Sequence, residues 1–478
     1  MSIRRFAIFK YGSSRQQGAA LLIMLVLLVV GIAAMLVNSL TSSSVKTARQ
    51  ATTAAALAQA RDALIGYAIT YGDTHSNQVH GYFPCPDISG GNPEGSAEPS
   101  CGSQDVNMIG RLPWATLDLS TLRDGNGECL WYAVSGTYKN NPKTGLMNWD
   151  TNGQLQAFSS AGTLLTPPDN QVVAVIFAPG APLSGQDRSG TSAPICGGNY
   201  TATNYLDNDT VHSRNNADIA TGKFIQPHEH RDVNGNIILT VNDQMIFITK
   251  QDIWNAIQKR TDFQNTLQLL TQRVAECIAN YGNNNSDIDN HSLPWPAPLV
   301  LSDYAVSSNY NDVPYTTSSS YSGRVPYIVN NSRATTVNSI PSPYDLLKSD
   351  GANCPVPANW AAIYPWYDNW KDHLFYALSQ KFEPQTGSTH TCGTCVAVNG
   401  TPYAAVVMFA NSRIGTQVRT SDTTSTNRGN ISNYLESNNA TNYPDTNGNK
   451  NYQSQAATNN FNDVLYCIKE DLSVIPCP

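Results

Sequence analysis

The chain has 478 residues, only 14% of them charged, and its net charge at pH 7 is −7. This balance argues against a nucleic-acid partner, because proteins that bind nucleic acids usually present a basic face. The hydrophobic content of 41% excludes a wholly disordered chain, and the mean hydropathy of −0.31 excludes a protein with many membrane spans. The length predicts two or three domains.

The chain begins with a basic leader, residues 1–17, that contains no acidic residue. The following segment, 19–37, carries no charge and is close to the length of about 20 residues that a helix needs to cross a bilayer. The positive-inside rule places the leader in the cytoplasm and the body in the periplasm. A secretory signal peptide is the alternative, although its apolar region is usually shorter, about 7–15 residues.

The junction between leader and apolar segment, Arg15-Gln-Gln-Gly18 followed by Ala19-Ala-Leu-Leu-Ile23, resembles the leader of type IV prepilins. In that family a prepilin peptidase cuts after the glycine and methylates the new amino terminus. The resemblance therefore implies cleavage between Gly18 and Ala19. It also implies an inner-membrane location followed by assembly with other pilins or pseudopilins into an extracellular filament or a pseudopilus, through a helix over residues 19–54.

One residue departs from the family pattern. Pilins of the filament shaft usually carry Glu at the fifth residue after the cut, where this chain has Ile23. That carboxylate is thought to pair with a neighbour's free amino terminus in the apolar filament core, where pairing offsets a large desolvation cost. The chain is similar in this respect to the large minor pseudopilin of type II secretion. The resemblance implies a minor subunit of a type IV pilus or type II secretion filament, at or near the tip.

The segment after the apolar run is predicted to be helical. It contains no Pro between Ser42 and Tyr71, and Leu57, Leu64 and Ala68 recur at spacings that form one stripe on a helix. An unbroken helix from Ala19 to Tyr71 would be roughly 80 Å long. Its second half is expected to lie on a globular head.

The body of the sequence contains an internal repeat. Seven short blocks recur in the same order, among them Gly110-Arg-Leu-Pro-Trp114 as Gly323-Arg-Val-Pro-Tyr327, Asn204-Tyr-Leu-Asp207 as Asn433-Tyr-Leu-Glu436, and Asn242-Asp243 as Asn462-Asp463. The shared order predicts a tandem duplication, with a first head over 55–253 and a second over 254–478. A polar helix over 250–281 is predicted to lead the second head.

The predicted fold class is α+β: a long N-terminal pilin-like helix, membrane-spanning in its first half, and two duplicated heads that each pack a helix on an antiparallel sheet. Segments 129–134 and 171–178 are predicted strands because they are rich in β-branched and aromatic residues. The loop Phe83-Pro-Cys-Pro-Asp87 and the following Leu112-Pro-Trp114 are similar to a group of bacterial pseudopilin-like proteins. That similarity covers residues 1 to about 180, and the second copy more loosely.

Two segments, 303–345 and 411–460, are rich in Ser, Thr, Asn and Tyr and are expected to be long surface loops. Tyr and Asn side chains also suit contact with a glycan or a cell-surface protein. The alternative functions are therefore an adhesin that binds through these loops, or a plain membrane-anchored periplasmic protein.

Two patterns are weak candidates for metal binding. His228 and His230 alternate, so they would share one face of a strand, but no third ligand is apparent and a solvated loop is favoured. Four Asp-Xaa-Asn-Gly fragments, beginning at Asp124, Asp150, Asp232 and Asp445, resemble parts of calcium loops, although the glycine falls at the fourth position and not the sixth. Tight turns are the favoured interpretation. Calcium stays open, and no other cofactor is expected.

All ten cysteines follow the apolar segment, which favours an oxidising compartment and disulfides. Cys85 and Cys101 flank one loop, and the CxxC of Cys392 and Cys395 lacks the context of a thioredoxin-like site, so both pairs are predicted structural disulfides. Zinc is the alternative, but there is no second CxxC at finger spacing. Cys467 and Cys477 resemble the C-terminal disulfide of many pilins. No catalytic motif is present, and the chain is not expected to be an enzyme.

Overall fold

The computed structural model describes residues 16–478 except 90, 285–290, 331, 333–343, 355–358 and 385–389, and it describes side chains only from residue 43 onward. The helices are α1 (Gln16–Thr74), α2 (Lys250–Gln258), α3 (Thr261–Asn284), α4 (Tyr315–Ser318), α5 (Trp360–Trp370) and α6 (Ser437–Thr441). The strands before α2 are β1 (Met108–Arg111), β2 (Trp131–Val134), β3 (Gln156–Phe158), β4 (Val172–Ala178), β5 (Asn208–Asp209), β6 (Arg214–Asn215), β7 (Lys223–Ile225), β8 (His228–Arg231), β9 (Ile237–Val241) and β10 (Gln244–Thr249). Those after α3 are β11 (Ser322–Arg324), β12 (Ile328–Val329), β13 (Tyr344–Asp345), β14 (Leu374–Leu378), β15 (Val396–Val398), β16 (Thr401–Tyr403), β17 (Ala405–Phe409), β18 (Asn451–Tyr452), β19 (Val464–Ile468) and β20 (Val474–Pro476).

The first half of the body, residues 43–249, is built on an antiparallel sheet of order β1-β2-β4-β10, with Trp131 opposite Phe177 in its centre. All seven residues of β4 are buried because both faces of the sheet are covered. Val173 and Ile176 belong to the apolar cluster that includes α1, and Val175 to a second cluster on the opposite face. This explains why β4 is a continuous apolar run with no polar alternation.

Helix α1 meets this sheet along one stripe. Residues 43–52 are exposed all round, and the first buried residue is Thr53, whose hydroxyl accepts a hydrogen bond from the Gly125 backbone at 2.9 Å. The stripe then follows the three- and four-residue spacing of a helix: Ala56, Leu57, Ala60, Leu64, Ala68 and Tyr71. The helix meets the body already at Arg49, whose backbone lies so close to Gly125 that a Cβ there would be 2.2 Å from the Arg49 carbonyl oxygen.

The second half, residues 261–478, repeats this plan with a sheet of order β11-β14-β17-β19-β20, all antiparallel. Helix α3 contacts β17, β19 and β20. The predicted helix over 250–281 is interrupted, since α2 ends at Gln258 and α3 begins at Thr261. Arg260, in the break, pairs with Asp73 of α1 at 2.7 Å, which ties the junction to the first half.

The predicted fold class was wrong. The described residues form a mixed α/β arrangement of six helices, in which α1 is the one long helix and has described side chains only over 43–74. Within the part of the chain that the structure describes, no helix is both long enough and sufficiently apolar to span a bilayer. The first described turns of α1 carry exposed charged side chains, Lys46 and Arg49, which do not suit the interior of a bilayer.

The two halves share one core. Leu64 and Ile176 of the first half belong to the same continuous apolar cluster as Trp370 and Phe409 of the second. Helix α2 contacts both α1 and α3, and α3 contacts α5, so these helices fill the space where the halves meet. The predicted boundary between 253 and 254 falls inside α2.

Candidate functional site

Each half contains a buried arginine next to its sheet, at matching positions of the repeated Gly-Arg block. Arg111 donates to the carbonyl oxygens of Gly197 at 2.9 Å and Asn199 at 2.7 Å, and its guanidinium lies 4.9 Å from the Tyr205 ring centroid. Arg324 donates to the Leu299 carbonyl at 3.0 Å and lies 5.2 Å from the ring centroid of Tyr434. Both charges are satisfied by backbone oxygens and aromatic faces, so these arginines anchor loops.

A buried pair of carboxyl groups recurs in the same way. In the first half, Asp243 Oδ2 accepts the backbone N–H of Asp207 at 2.7 Å and the Asn216 side-chain amide at 3.0 Å. In the second half, Asp463 Oδ2 accepts the backbone N–H of Glu436 at 3.0 Å and the Asn439 amide at 2.9 Å. The second acid of each pair also accepts a hydrogen bond from a glutamine side chain. Gln186 donates to Asp207, and Gln417 donates to Glu436.

These pairs hold one acid in its neutral form. Burial and the nearby Asp207 carboxyl raise the pKa of Asp243 well above its ordinary value, and burial and Glu436 do the same to the pKa of Asp463. The Oδ1 atoms of Asp243 and Asp463 accept no hydrogen bond from any residue that the structure describes. A proton shared within each pair would remove an unpaired buried charge, which is consistent with the raised pKa of Asp243 and Asp463.

A different buried network joins the two halves. Asp150 of the first half is fully buried, and its Oδ2 lies 3.2 Å from His373 Nε2 and 3.5 Å from an Arg419 amino group. Beside it, Asp372 pairs with Arg428 and accepts the Asn148 side-chain amide at 3.1 Å. Burial alone would raise the pKa of Asp150, but Arg419 and His373 outweigh it and lower the pKa.

An aromatic cluster covers this network. Trp149 meets Trp370 edge to face at a centroid distance of 4.3 Å, and Phe263 and Phe409 lie at 6.1 Å from the same ring. Met147 donates its backbone N–H to the Asn369 side chain at 2.8 Å alongside. The contact between the two halves therefore combines buried apolar rings with charged groups that pair with each other. It is an internal interface of the chain.

The two weakly predicted histidines lie in a cluster of four potential metal ligands. His228 and His230 are on β8, pointing to the same side, and Asp209 and His212 come from the β5–β6 hairpin. One candidate ligand atom from each of the four residues lies within 4.8 Å of every other. The predicted solvated loop is thus a strand, and the third and fourth ligands that the sequence did not reveal are on a neighbouring hairpin.

The Asp-Xaa-Asn-Gly fragments have different surroundings. Asp124, Asp232 and Asp445 each accept backbone N–H groups from the residues that follow, for example Asn126 on Asp124 at 2.8 Å and Asn234 on Asp232 at 2.9 Å. This is the hydrogen bonding of a turn. Asp150 is part of the buried junction between the halves. The carboxylates of Asp124, Asp232 and Asp445 thus have hydrogen-bond donors of their own, and calcium binding at the four fragments stays a sequence-level possibility.

The ten cysteines form five disulfides. Three join Cys85 with Cys101, Cys392 with Cys395, and Cys467 with Cys477. The other two, whose partners the sequence left open, join Cys129 with Cys196 and Cys277 with Cys354. No cysteine is free. The Cys277–Cys354 bond fastens α3 to the segment before α5, which is the region that contacts the first half.

The remaining predicted features are placed as follows. The leader residues 1–15 lie outside the described part of the chain, and Gly18, Ala19 and Ile23 lie in the part of α1 whose side chains are not described. The segment 411–460, expected to be surface loops, has several buried residues, including Arg428, Tyr434 and Asn439. These side chains pack on the second sheet because they belong to the loop networks described above.

Comparison of the chain with protein-family models, with curated proteins and with solved structures gave no match.

Proposed function

We propose that this chain is an exported structural subunit of a bacterial envelope filament, a minor pilin-like or pseudopilin-like protein that a prepilin peptidase processes between Gly18 and Ala19. The observation that carries the proposal is the sequence order at the N-terminus: a basic leader, Gly18, and then an uncharged segment over 19–37. In this proposal the segment holds the protein in the inner membrane and later packs against equivalent segments of other subunits, while the body lies on the periplasmic or extracellular side.

The disulfides support export. Five disulfides in one chain require an oxidising compartment, because thiols in a reducing cytoplasm stay reduced. Three of the bonds close chain segments of 16, 67 and 77 residues and so restrict the body substantially. A body of this kind is suited to remain folded outside the cytoplasm.

The shape of the N-terminal part supports a role as an attached body. Residues 43–52 of α1 are exposed all round and separate the buried stripe from the apolar segment. The charged groups at the junction between the halves are paired with each other, as Asp150 is with Arg419 and Asp372 with Arg428. They therefore serve the fold, and a structural role, not catalysis, is proposed for the protein.

Ile23 supports a minor position. An isoleucine cannot form the ion pair with a neighbour's amino terminus that the resemblance assigns to Glu at this position. The subunit is therefore proposed to cap a filament and not to repeat along its shaft. Which machine it belongs to, type IV pilus or type II secretion, depends on the other subunits.

Mass spectrometry of the protein purified from its own cells tests processing. The expected mature chain begins at a methylated Ala19, and Gly18→Val is expected to keep residues 1–18. Gly12→Val is the matched control within the leader and is expected to be processed normally. A mature protein that begins at Met1, or that is cut elsewhere, would remove the basis of the proposal.

Shearing of intact cells tests the assembly step and separates the proposal from its alternatives. A filament subunit is expected to co-purify with sheared filaments, at the tip in immunogold images. An adhesin that works alone would bind cells or glycans through its soluble body, and a plain anchored protein would stay in the membrane fraction. Labelling spread evenly along a shaft would contradict the tip position.

A further inference from the structure

We infer that the cluster of Asp209, His212, His228 and His230 binds a divalent first-row transition-metal ion of the zinc class, a site that is independent of the proposed function. Three imidazoles and one carboxylate form a donor set that suits Zn²⁺ in tetrahedral geometry. The three rings are close together, with centroid separations of 5.5, 4.9 and 4.8 Å.

The hydrogen bond of His228 leaves its Nε2 able to coordinate a metal ion. Its Nδ1 lies 2.8 Å from the backbone carbonyl oxygen of Gln226, and since a carbonyl can only accept, Nδ1 must carry the hydrogen. In the neutral ring Nε2 then has a lone pair. A hydrogen bond from the far ring nitrogen to a backbone carbonyl is the usual arrangement around metal-binding histidines.

The nitrogen atoms that face the cluster are otherwise unpaired. Nε2 of His228 and Nε2 of His230 are buried and make no hydrogen bond with any residue that the structure describes. Nε2 of His228 lies 3.2 Å from Asp209 Oδ2 without forming one. A lone pair beside a carboxylate is unfavourable, and either a cation between the two groups or a proton on the nitrogen relieves it. The His228 side chain is only 7% exposed, so water does not readily substitute.

Asp209 supplies the negative charge and is held in place. Its Oδ1 accepts the backbone N–H groups of Val211 at 2.9 Å and His212 at 3.2 Å, which leaves Oδ2 directed at the histidines, 2.6 Å from His212 Nδ1. No Lys or Arg forms an ion pair with Asp209 among the described residues, so its charge is available to a cation.

The surroundings fix the geometry. On β8 the partners of the two histidines are Val241 and Leu239, which pack in a small apolar cluster below the site. Gly162 lies so close to His212 that a Cβ there would be 2.6 Å from its ring. In a tetrahedral site with ligand distances of about 2.0–2.1 Å, the donor atoms lie roughly 3.3 Å apart, so the four donors, now within 4.8 Å of one another, need to close by up to about 1.5 Å.

The second group of acids and histidine, Asp150, Asp372 and His373, also has a buried Nε2 without a hydrogen bond to any described residue, that of His373, but it differs in the charges around it. Two arginines, Arg419 and Arg428, already pair with its carboxylates. A divalent ion placed there would have to displace a buried guanidinium. The proposal is therefore confined to the first half, where β8 and β9 form a separate two-stranded sheet outside the main one.

Titration of the metal-free full-length protein in detergent with Zn²⁺ tests the site. One equivalent is expected to bind, and Co²⁺ is expected to give the visible absorption of a tetrahedral complex. His230→Gln is expected to weaken Zn²⁺ binding at least about 10-fold, whereas His75→Gln, a matched change at the end of α1, is expected to leave binding unchanged. Equal binding by wild type and the His230→Gln variant, or the absence of stoichiometric binding by wild type, would overturn the proposal.

A measurement on the unaltered chain covers the case in which a variant fails to fold. Diethyl pyrocarbonate modifies accessible imidazole nitrogens, and mass spectrometry locates the modified histidines. Zn²⁺ is expected to protect His212, whose side chain is 23% exposed, and to leave His75 as reactive as before. Equal modification of His212 with and without Zn²⁺ would show that no ion binds at the cluster. Both outcomes are independent of N-terminal processing, so failure here leaves the proposed function untouched.

Discussion

Asp243→Asn is expected to remove a pH dependence of stability from the first half. In the folded protein Asp243 keeps a proton because its pKa is raised, whereas in the unfolded chain the carboxyl ionises near its ordinary value of 3.8. The folded state thus binds one more proton than the unfolded state above about pH 5. Stability must fall as pH rises through this window, until the pH reaches the raised pKa of the folded state.

The size of the effect follows from the proton count. While the folded state retains this proton and the unfolded state does not, the free energy of unfolding falls by up to about 1.4 kcal/mol per pH unit. Asparagine resembles the neutral acid: its oxygen can still accept from the Asp207 N–H and the Asn216 amide, and it cannot ionise. The variant is therefore expected to lose this slope and to gain stability on wild type as pH rises.

Denaturant unfolding with intact disulfides, followed by Trp fluorescence at pH 5, 6 and 7, measures the slope. Asp463→Asn is expected to have the same effect in the second half. In the double variant the pH dependence of the free energy of unfolding is expected to decrease by up to about 2.7 kcal/mol per pH unit. Asp232→Asn is the control, since hydrogen bonds at its exposed turn lower its pKa and it is ionised in both states. A slope that Asp243→Asn leaves unchanged would refute the neutral carboxyl pair.

Three further changes test how the halves are joined, each by denaturant unfolding at pH 7. Arg419→Met leaves the buried Asp150 without its nearest guanidinium and is expected to cost about 3–5 kcal/mol. Trp370→Ala removes the ring at the centre of the aromatic cluster and is expected to cost about 3–5 kcal/mol. Replacement of Cys277 and Cys354 by Ser opens a segment of 77 residues and is expected to cost about 4 kcal/mol.

Matched variants set the scale for these losses. Arg413 is partly exposed, and its Nε is 3.7 Å from Asp150. Arg413→Met is therefore expected to lower the free energy of unfolding by under about 1 kcal/mol. Opening the Cys392–Cys395 bond, which spans only 3 residues, is expected to cost under about 2 kcal/mol. Equal losses for Arg413 and Arg419, or for the two disulfides, would mean that the junction and the closed segment length do not determine stability.

Local elements of the fold were predictable because their patterns are local. The apolar runs 129–134 and 171–178 contain β2 and β4, and the spacing of Leu57, Leu64 and Ala68 marks the buried side of α1. The matched blocks also located the residues of the two carboxyl pairs. The pattern of one element shows that a face is buried, but it does not show against what, and for this reason the shared core was missed.

The cluster of metal ligands shows the same limit. The alternation of His228 and His230 is visible in the sequence, but Asp209 and His212 lie on a separate hairpin that only tertiary contact between β5 and β9 brings alongside. The spacing Asp209-Xaa-Xaa-His212, ahead of the alternating histidines, was the available signal. Fold class was missed because the apolar N-terminal segment directed the prediction toward a membrane helix, and its side chains lie outside the described part of the chain.

The shared core has a consequence for how the polypeptide matures. A ribosome releases the chain from its N-terminus, and the Asn369 carbonyl that receives the Asn148 amide is made 221 residues later. Until then Trp149 lacks the contact with the Trp370 ring, and the first half keeps part of its apolar surface exposed. Chaperones that bind incomplete chains would be needed most during this interval, and a fragment that ends before α5 would tend to aggregate.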